Sequence, residues 1–248
     1  RILSNDPSTN ADDRPAASAR RLKLKPVAPA SMPHALGSLG VSVVAGAVFL
    51  WLSSQVMTSE TIVSIDAAAF DVALSIHTPW LTTLVTWITT IGNTSVLTVL
   101  SIAVGFWLAR IGSRRRLIAF AATMVLGGLL NVLLKSSTER PRPGVFEPLV
   151  RASGYSFPSG HSMGSMLFFG SLAYVLAVTL ETHRAWRALA VAGCLLCAVA
   201  IGLSRVYLGV HYLSDVAGGF AAGICWIGIC IAATEAWTAR RQSWTGAK

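Results

Sequence analysis

The sequence predicts an all-α polytopic membrane protein, with six transmembrane helices and a short interfacial helix between the first and second. Of its 248 residues, 53% are hydrophobic and 12% are charged, whereas soluble domains carry about 25% charged residues. Several apolar stretches reach the roughly 20 residues that one helix needs to cross a hydrocarbon core. The stretches are continuous and do not alternate in polarity, which favours helices over the strands of a membrane barrel.

The predicted elements follow from where the apolar runs begin and end. Residues 1–33 are rich in Pro, Ala, Ser and Arg, which predicts a disordered basic cytoplasmic arm. A membrane domain is expected at 34–237 and a cytoplasmic tail at 238–248. The six stretches that we predict to span the membrane are 36–57, 94–109, 117–134, 159–180, 188–203 and 213–234.

Residues 58–79, between the first two spans, predict the interfacial helix. They carry three carboxylates but no Lys or Arg. Their apolar side chains recur at helical spacing, as in an amphipathic helix that lies on a membrane. A further short helical stretch is expected to begin at Pro79 and to break near Gly92–Asn93. The apolar side chains in question are Ile65, Ala69, Val72, Ala73 and Ile76.

The distribution of charge predicts the orientation. The arm, the turns at 110–116 and 181–187, and the tail hold 15 of the 20 Lys and Arg residues. With six crossings, all four segments lie on one side, and an excess of Lys and Arg marks the cytoplasmic side. We therefore expect both termini in the cytoplasm. Topology accounts for most of the net charge of +9, so no nucleic acid partner is needed.

The remaining basic residues would lie on the opposite side, near helix ends. Charges at membrane depth are costly and usually functional, so this group predicts an anionic ligand. By contrast, Cys194 and Cys197 lie inside an apolar run, where we expect them to pack helices rather than form a disulfide or bind zinc. The outlying cations are Lys135, Arg140, Arg142, Arg151 and Arg205.

Three segments together supply the parts of a phosphoryl-transfer site, although each has an ordinary structural interpretation alone. A Lys at a helix end can reach towards the interface, an Arg-Pro pair forms a turn, and Ser-Gly commonly precedes a helix. As a set, the cations can neutralise phosphate oxygens, and amides at a helix N-terminus favour an anion. The segments are Lys135–Pro143, Pro158–His161 and Ser204–Asp215.

The third segment also provides a candidate nucleophile. His211 and Asp215 are four residues apart, so they share a face if the last helix begins before them. Asp215 can then accept one ring N–H and leave the other nitrogen of His211 free to attack. Gly160 allows the backbone to approach an anion closely, and Ser159 can donate its hydroxyl.

These segments resemble the three signature motifs of the type 2 phosphatidic acid phosphatase superfamily, K-x6-R-P, P-S-G-H and S-R-x5-H-x3-D. The resemblance covers roughly residues 36–235. It implies a lipid phosphate phosphatase with no metal and no other cofactor. His211 would be the nucleophile that forms a phosphohistidine, His161 the general acid and base, and Asp215 the orienting carboxylate. The implied phosphate-binding residues are Lys135, Arg142, Ser159, Gly160 and Arg205, with Arg140 as an auxiliary residue because the spacing from Lys135 selects Arg142.

The implied substrate is a lipid phosphate that arrives from the membrane. Phosphatidic acid, phosphatidylglycerol phosphate, undecaprenyl diphosphate and lipid A phosphates all fit, and no obligate protein partner is evident. The expected location is a bacterial-type cytoplasmic membrane, with the site facing the periplasm or exterior. Near the second motif, Arg151, Tyr155 and Phe157 either contact the head group or line the site's opening, or the two aromatic residues anchor the interface.

Three other functions compete with hydrolysis. Transfer of the phosphoryl group to a lipid or sugar would use the same residues, and the motifs do not identify the acceptor. The motifs also resemble those of vanadium-dependent haloperoxidases, but these are soluble enzymes. A catalytically silent scaffold or a transporter fits the hydropathy but leaves the outlying cations unexplained.

Overall fold

A computed structural model of the chain describes residues 32–144, 149–150, 153–180 and 182–245. The expectations for most of the arm, for Arg151 and for the last three residues of the tail fall outside these ranges. The described residues form helices, and no β-strand is found among them. The helices are α1 (Met32–Gln55), α2 (Glu60–Ser75), α3 (Pro79–Ile91), α4 (Thr94–Arg110), α5 (Arg114–Thr138), α6 (Gly160–Thr179), α7 (Arg184–Tyr207) and α8 (Leu213–Thr245).

The predicted all-α membrane architecture is confirmed. Within the described ranges, five helices are long and apolar enough to cross a membrane, namely α1, α5, α6, α7 and α8. Helices α3 and α4 form a sixth span if they are taken together, and they are bent by 52° at the break between them. The break lies at Gly92–Asn93, where the sequence predicts it. Within α6, residues Met166–Gly170 form a π-helical turn that the sequence does not predict.

Helix α2 is present, and its polar face is not wholly exposed to water, because part of it is buried against the bundle. Of the five predicted apolar residues, Ile65, Val72 and Ile76 are exposed, as expected for a face that contacts lipid. Ala73 is buried instead, and Ala69 packs against the core. The opposite face is buried and includes the carboxylate of Asp66, which is 1% exposed. Ser59 caps the helix by accepting a hydrogen bond from the Ile62 N–H. Helix α2 therefore directs a buried charge towards the bundle.

Close packing between the last helix and its neighbours sets the positions of the motifs. Helix α1 packs along α8, and α6 packs against both α7 and α8. A Cβ atom at Gly219 in α8 would lie 2.7 Å from the Ser159 carbonyl oxygen and 3.0 Å from the Met163 amide nitrogen, so only glycine permits this approach.

The order of the helices then separates the charges along the bundle. One end holds the end of α5, the start of α6, the end of α7 and the start of α8. These helix ends and the segments that adjoin them carry the three motifs. The opposite end holds the basic turns that join α4 to α5 and α6 to α7.

Candidate active site

His211 lies in the short connection between α7 and α8, not on a helix. Helix α8 begins at Leu213, so the condition under which His211 and Asp215 would share a helix face is not met. The connection nonetheless brings them together, because the amides of Val210 and His211 both donate to the Arg205 carbonyl oxygen. Gly209, with φ of 74°, occupies the left-handed region that this turn requires.

The imidazole of His211 has different partners on its two nitrogens. Nδ1 lies 3.3 Å from Oδ2 of Asp215, and Nε2 lies 3.2 Å from Nη1 of Arg142. A carboxylate only accepts and a guanidinium only donates, so these partners assign the proton to Nδ1 and the lone pair to Nε2. The predicted pairing of His211 with Asp215 is therefore present in the geometry.

Burial keeps this imidazole neutral. It lowers the pKa of His211 from 6.5 to about 4, and the hydrogen bond with Asp215 opposes part of that shift. The charges of Arg142 and Lys135 lower the pKa further. At neutral pH, Nε2 therefore carries a lone pair beside positive charge, which is the state that a nucleophile needs.

Arg142 is positioned by backbone carbonyl groups. Its Nε donates to Gly154 at 2.9 Å, its Nη1 to Val210 at 2.8 Å and its Nη2 to Ser153 at 2.7 Å. Burial lowers the pKa of the guanidinium, whereas the negative charge of Asp215 raises it; an Arg side chain nonetheless stays charged in proteins.

Two further cations face the same space. Nζ of Lys135 donates to the Tyr155 carbonyl oxygen at 2.9 Å, and Nη1 of Arg205 donates to Oγ1 of Thr89 at 2.7 Å. Nε of Arg205 is buried and has no partner within the described part of the chain. Lys135, Arg142 and Arg205 lie close enough for their charges to repel one another. An anion that bound among them would relieve this repulsion.

The second motif forms the start of α6. Ser159 is fully buried and caps the helix, because its Oγ accepts from the Ser162 amide and from Oγ of Ser162. Its own amide donates to the Asp215 carbonyl oxygen at 3.0 Å, which ties α6 to α8. Gly160 and His161 follow in the first turn, where free N–H groups favour an anion.

His161 is oriented by a residue that sequence reasoning missed. Its Nε2 lies 3.0 Å from Oδ1 of Asn93, the residue that immediately precedes α4 at the break between α3 and α4. The sequence feature that could have indicated this role is the side-chain amide of Asn93 at a break between two apolar helices. Lys135, Arg142, Arg205 and the imidazole of His211 all lie close enough to interact electrostatically with His161, so the two histidines and the three cations form one site.

Arg140 does not join the three cations. It is buried, with Nη1 2.6 Å from Oδ1 of Asp215 and Nη2 2.9 Å from Oδ2 of Asp66. Its guanidinium also stacks 4.0 Å from the ring centroid of Tyr212. The sequence predicts Arg140 as an auxiliary residue, and the structure pairs its guanidinium with two carboxylates and with Oγ of Ser214. Asp66 was not predicted to take part at all.

The three residues that precede the second motif lie in different environments. Ser156, which was missed, donates a short hydrogen bond to Oδ2 of Asp215 and lies 3.3 Å from Nδ1 of His211. Phe157 is fully buried and stacks on Phe49, so the expectations that it contacts a head group, lines an opening or anchors the interface are wrong. Tyr155 remains exposed.

The described residues contain no group of three His, Cys, Asp or Glu side chains placed to hold a metal ion. Their four cysteines are unpaired. Separately, Lys135, Arg142 and Arg205 bring three positive charges close together, and such charges can stabilise a transferring phosphoryl group. Together with an oriented imidazole, this arrangement can perform nucleophilic attack on phosphorus.

Comparison with known proteins gives consistent matches. A family model described as the PAP2 superfamily matches residues 116–239. The chain is 37% identical to phosphatidylglycerophosphatase B of Bacillus subtilis over 182 residues, which cover 71% of this chain and 86% of that protein. It is 33% identical to a putative undecaprenyl-diphosphatase of Escherichia coli over 180 residues, which cover 67% and 82%.

A solved structure matches as well. The crystal structure of a transmembrane PAP2-type phosphatidylglycerolphosphate phosphatase from Bacillus subtilis aligns with a TM-score of 0.70 and 33% sequence identity. The alignment covers 76% of this chain and 93% of that chain.

Proposed function

The chain belongs to the PAP2 superfamily, and from this premise we propose that it hydrolyses a lipid phosphomonoester or diphosphate through a phosphohistidine at His211. Its relatives include a phosphatidylglycerophosphatase and a transmembrane phosphatidylglycerolphosphate phosphatase of solved structure. The observation that carries the proposal is the imidazole of His211, whose Nε2 has a lone pair beside Arg142 while Nδ1 faces Asp215.

In the first step, Nε2 of His211 attacks phosphorus. A P–N bond forms while the bond between phosphorus and the lipid oxygen breaks, and His161 donates a proton to that leaving oxygen. Positive charge then develops on the imidazole of His211, and Asp215 stabilises it through Nδ1. For a diphosphate substrate, the leaving group is the lipid monophosphate.

In the second step, water replaces the histidine. His161 accepts a proton from the water molecule, the resulting hydroxide attacks phosphorus, and the P–N bond to His211 breaks. Inorganic phosphate leaves, and both histidines return to their starting protonation states. Lys135, Arg142 and Arg205 neutralise the phosphoryl oxygens in both steps, because phosphoryl transfer depends mainly on positioning and charge stabilisation.

An apolar cavity supports a lipid as the substrate. It occupies about 570 Å³ between α4 and α5 and reaches the start of α6. At the end next to the proposed phosphate-binding residues, the cavity is lined by Asn131 and Gly160, and at the other end by Gly105 and Leu117. Such a space can hold an acyl or prenyl chain while the phosphate lies among the cations. A lipid substrate would then enter laterally from the membrane, between the helices.

The proposed orientation places the site on the non-cytoplasmic face of a bacterial membrane. The basic turns lie at the end of the bundle opposite the motifs, and excess Lys and Arg favours the cytoplasm. In a background without native cysteines, a cysteine at exposed position Ser153 should react with a membrane-impermeant maleimide in intact spheroplasts. Labelling only after lysis would contradict this orientation.

Phosphate release from a panel of purified lipid phosphates in detergent tests the activity. The wild type should release phosphate from at least one of phosphatidylglycerol phosphate, phosphatidic acid, undecaprenyl diphosphate and a lipid A phosphate. The His211→Ala and His161→Ala variants should insert normally and lose turnover, since each removes a reacting group.

Two further measurements address the mechanism. Activity should persist in EDTA, because three side-chain cations supply the charge; loss that magnesium restores would contradict the mechanism. A parallel assay that includes a free alcohol distinguishes hydrolysis from transfer. Phosphorylated alcohol as the main product would replace the hydrolase proposal with a phosphotransferase.

A further inference from the structure

We propose that Asp66, on the interfacial helix α2, is a positioning residue for the reaction and holds the Asp215 carboxylate in place through Arg140 and Ser214. This inference rests on the proposed function, because it concerns the same nucleophile. None of the three sequence motifs contains Asp66, which lies 74 residues before Arg140 along the chain.

The carboxylate of Asp66 has a partner for each oxygen. Oδ1 accepts the Ser214 backbone N–H at 2.8 Å, and Oδ2 accepts from Oγ of Ser214 at 2.6 Å and from Nη2 of Arg140 at 2.9 Å. Ser214 lies in the first turn of α8, where backbone N–H groups lack partners within the helix. Asp66 therefore fixes the start of the helix that carries Asp215.

Arg140 transmits this arrangement to the catalytic pair. Its Nη1 donates to Oδ1 of Asp215 at 2.6 Å and to Oγ of Ser214 at 2.8 Å, while Nη2 is held by Asp66. With Oδ1 of Asp215 bound in this way, Oδ2 is left to face Nδ1 of His211. Two carboxylates share one guanidinium, so Arg140 does not cancel the whole negative charge of Asp215.

Neutralising Asp66 would disturb both geometry and charge. In the Asp66→Asn variant, the amide N–H group would face either Nη2 of Arg140 or the backbone N–H of Ser214, depending on which way the amide is turned, and two donors cannot pair. Arg140 would then be balanced by Asp215 alone. The carboxylate would be drawn towards Arg140, and positive charge on His211 would be stabilised less in the transition state.

This reasoning predicts a specific kinetic pattern. The kcat value of Asp66→Asn should fall roughly 10- to 100-fold, as expected when a reacting group is displaced by up to about 1 Å. KM should change less than about twofold, since the phosphate-binding cations are untouched. The matched control is Asp71→Asn, which neutralises an exposed carboxylate on the same helix and should keep the wild-type kcat.

A double-mutant cycle tests whether Asp66 acts through Asp215. In an Asp215→Asn background, we expect residual turnover that release of radiolabelled phosphate can follow, and Asp66→Asn should have almost no further effect on it. A role limited to assembling the bundle would instead lower activity by the same factor in both backgrounds. Equal factors would therefore overturn the proposal.

A milder variant keeps the test decisive if Asp66→Asn does not insert. Ser214→Ala removes only the hydroxyl between Asp66 and Arg140, leaves the charges balanced, and should lower kcat with KM unchanged. Wild-type kcat in Ser214→Ala would then overturn the proposal, as would wild-type kcat in an inserted Asp66→Asn. A wild-type protein that releases no phosphate from any lipid would instead overturn the proposed function, and this inference with it.

Discussion

The substitution Gly219→Ala tests the contact that holds the second motif against the third. Helix α8 approaches α6 so closely at Gly219 that an added Cβ would lie 2.7 Å from the Ser159 carbonyl oxygen and 2.9 Å from Cβ of Ser162. The closest of these atoms belongs to the backbone, so no side-chain rotation can make room. The two helices have to move apart.

The size of the effect follows from these distances. Ordinary van der Waals contact begins near 3.4 Å, so α8 must move away from Ser159 by about 0.7 Å. Overpacking of this kind costs about 1–3 kcal/mol of stability. The displacement also stretches the hydrogen bond from the Ser159 amide to the Asp215 carbonyl oxygen. Since a shift of about 1 Å can cost roughly 100-fold in rate, we expect kcat to fall about 10- to 100-fold.

Thermal unfolding in detergent and phosphate release together measure both effects. The control is Gly193→Ala in α7, where an added Cβ meets nothing within 4 Å; it should be as stable as the wild type or more so, with unchanged kcat. If Gly219→Ala matches Gly193→Ala in melting temperature and in kcat, then the close contact between α6 and α8 does not position the site, and the reasoning is refuted.

Two other predictions concern the cavity and the nucleophile. Gly128 lines the cavity between α4 and α5, and an added Cβ there meets nothing within 4 Å, so Gly128→Leu should fill part of the cavity. Activity towards long-chain lipid phosphates should fall several-fold, whereas activity towards a short-chain phosphate should persist. The control, Gly193→Leu, should affect neither activity. Equal loss on both substrates would show that the cavity does not hold the lipid chain. His211 should titrate near pH 4 in nitrogen-15 NMR of labelled protein, because burial disfavours its charged form. It should therefore be neutral above that pH and become protonated as pH falls through it; a midpoint near the ordinary 6.5 would contradict the buried environment.

The sequence alone determined the membrane architecture and indicated the main candidate site residues. Hydrocarbon thickness sets a minimum apolar length, so long apolar runs identify spanning helices without tertiary information. The break at Gly92–Asn93 was also predictable, because Gly and Asn interrupt an otherwise apolar stretch. The spacing from His211 to Asp215 indicated their pairing even though α8 begins only after His211.

Only the tertiary structure decided which residues support that pair. Asp66 looked like one of several carboxylates on an interfacial helix, and Arg140 like a second copy of the Arg-Pro motif. Their contact, and that of Asn93 with His161, joins segments far apart in the chain. A buried charge or amide must find a partner, but the sequence does not say which one. That choice depends on how α2 and the α3–α4 break pack against the ends of α5, α6 and α8.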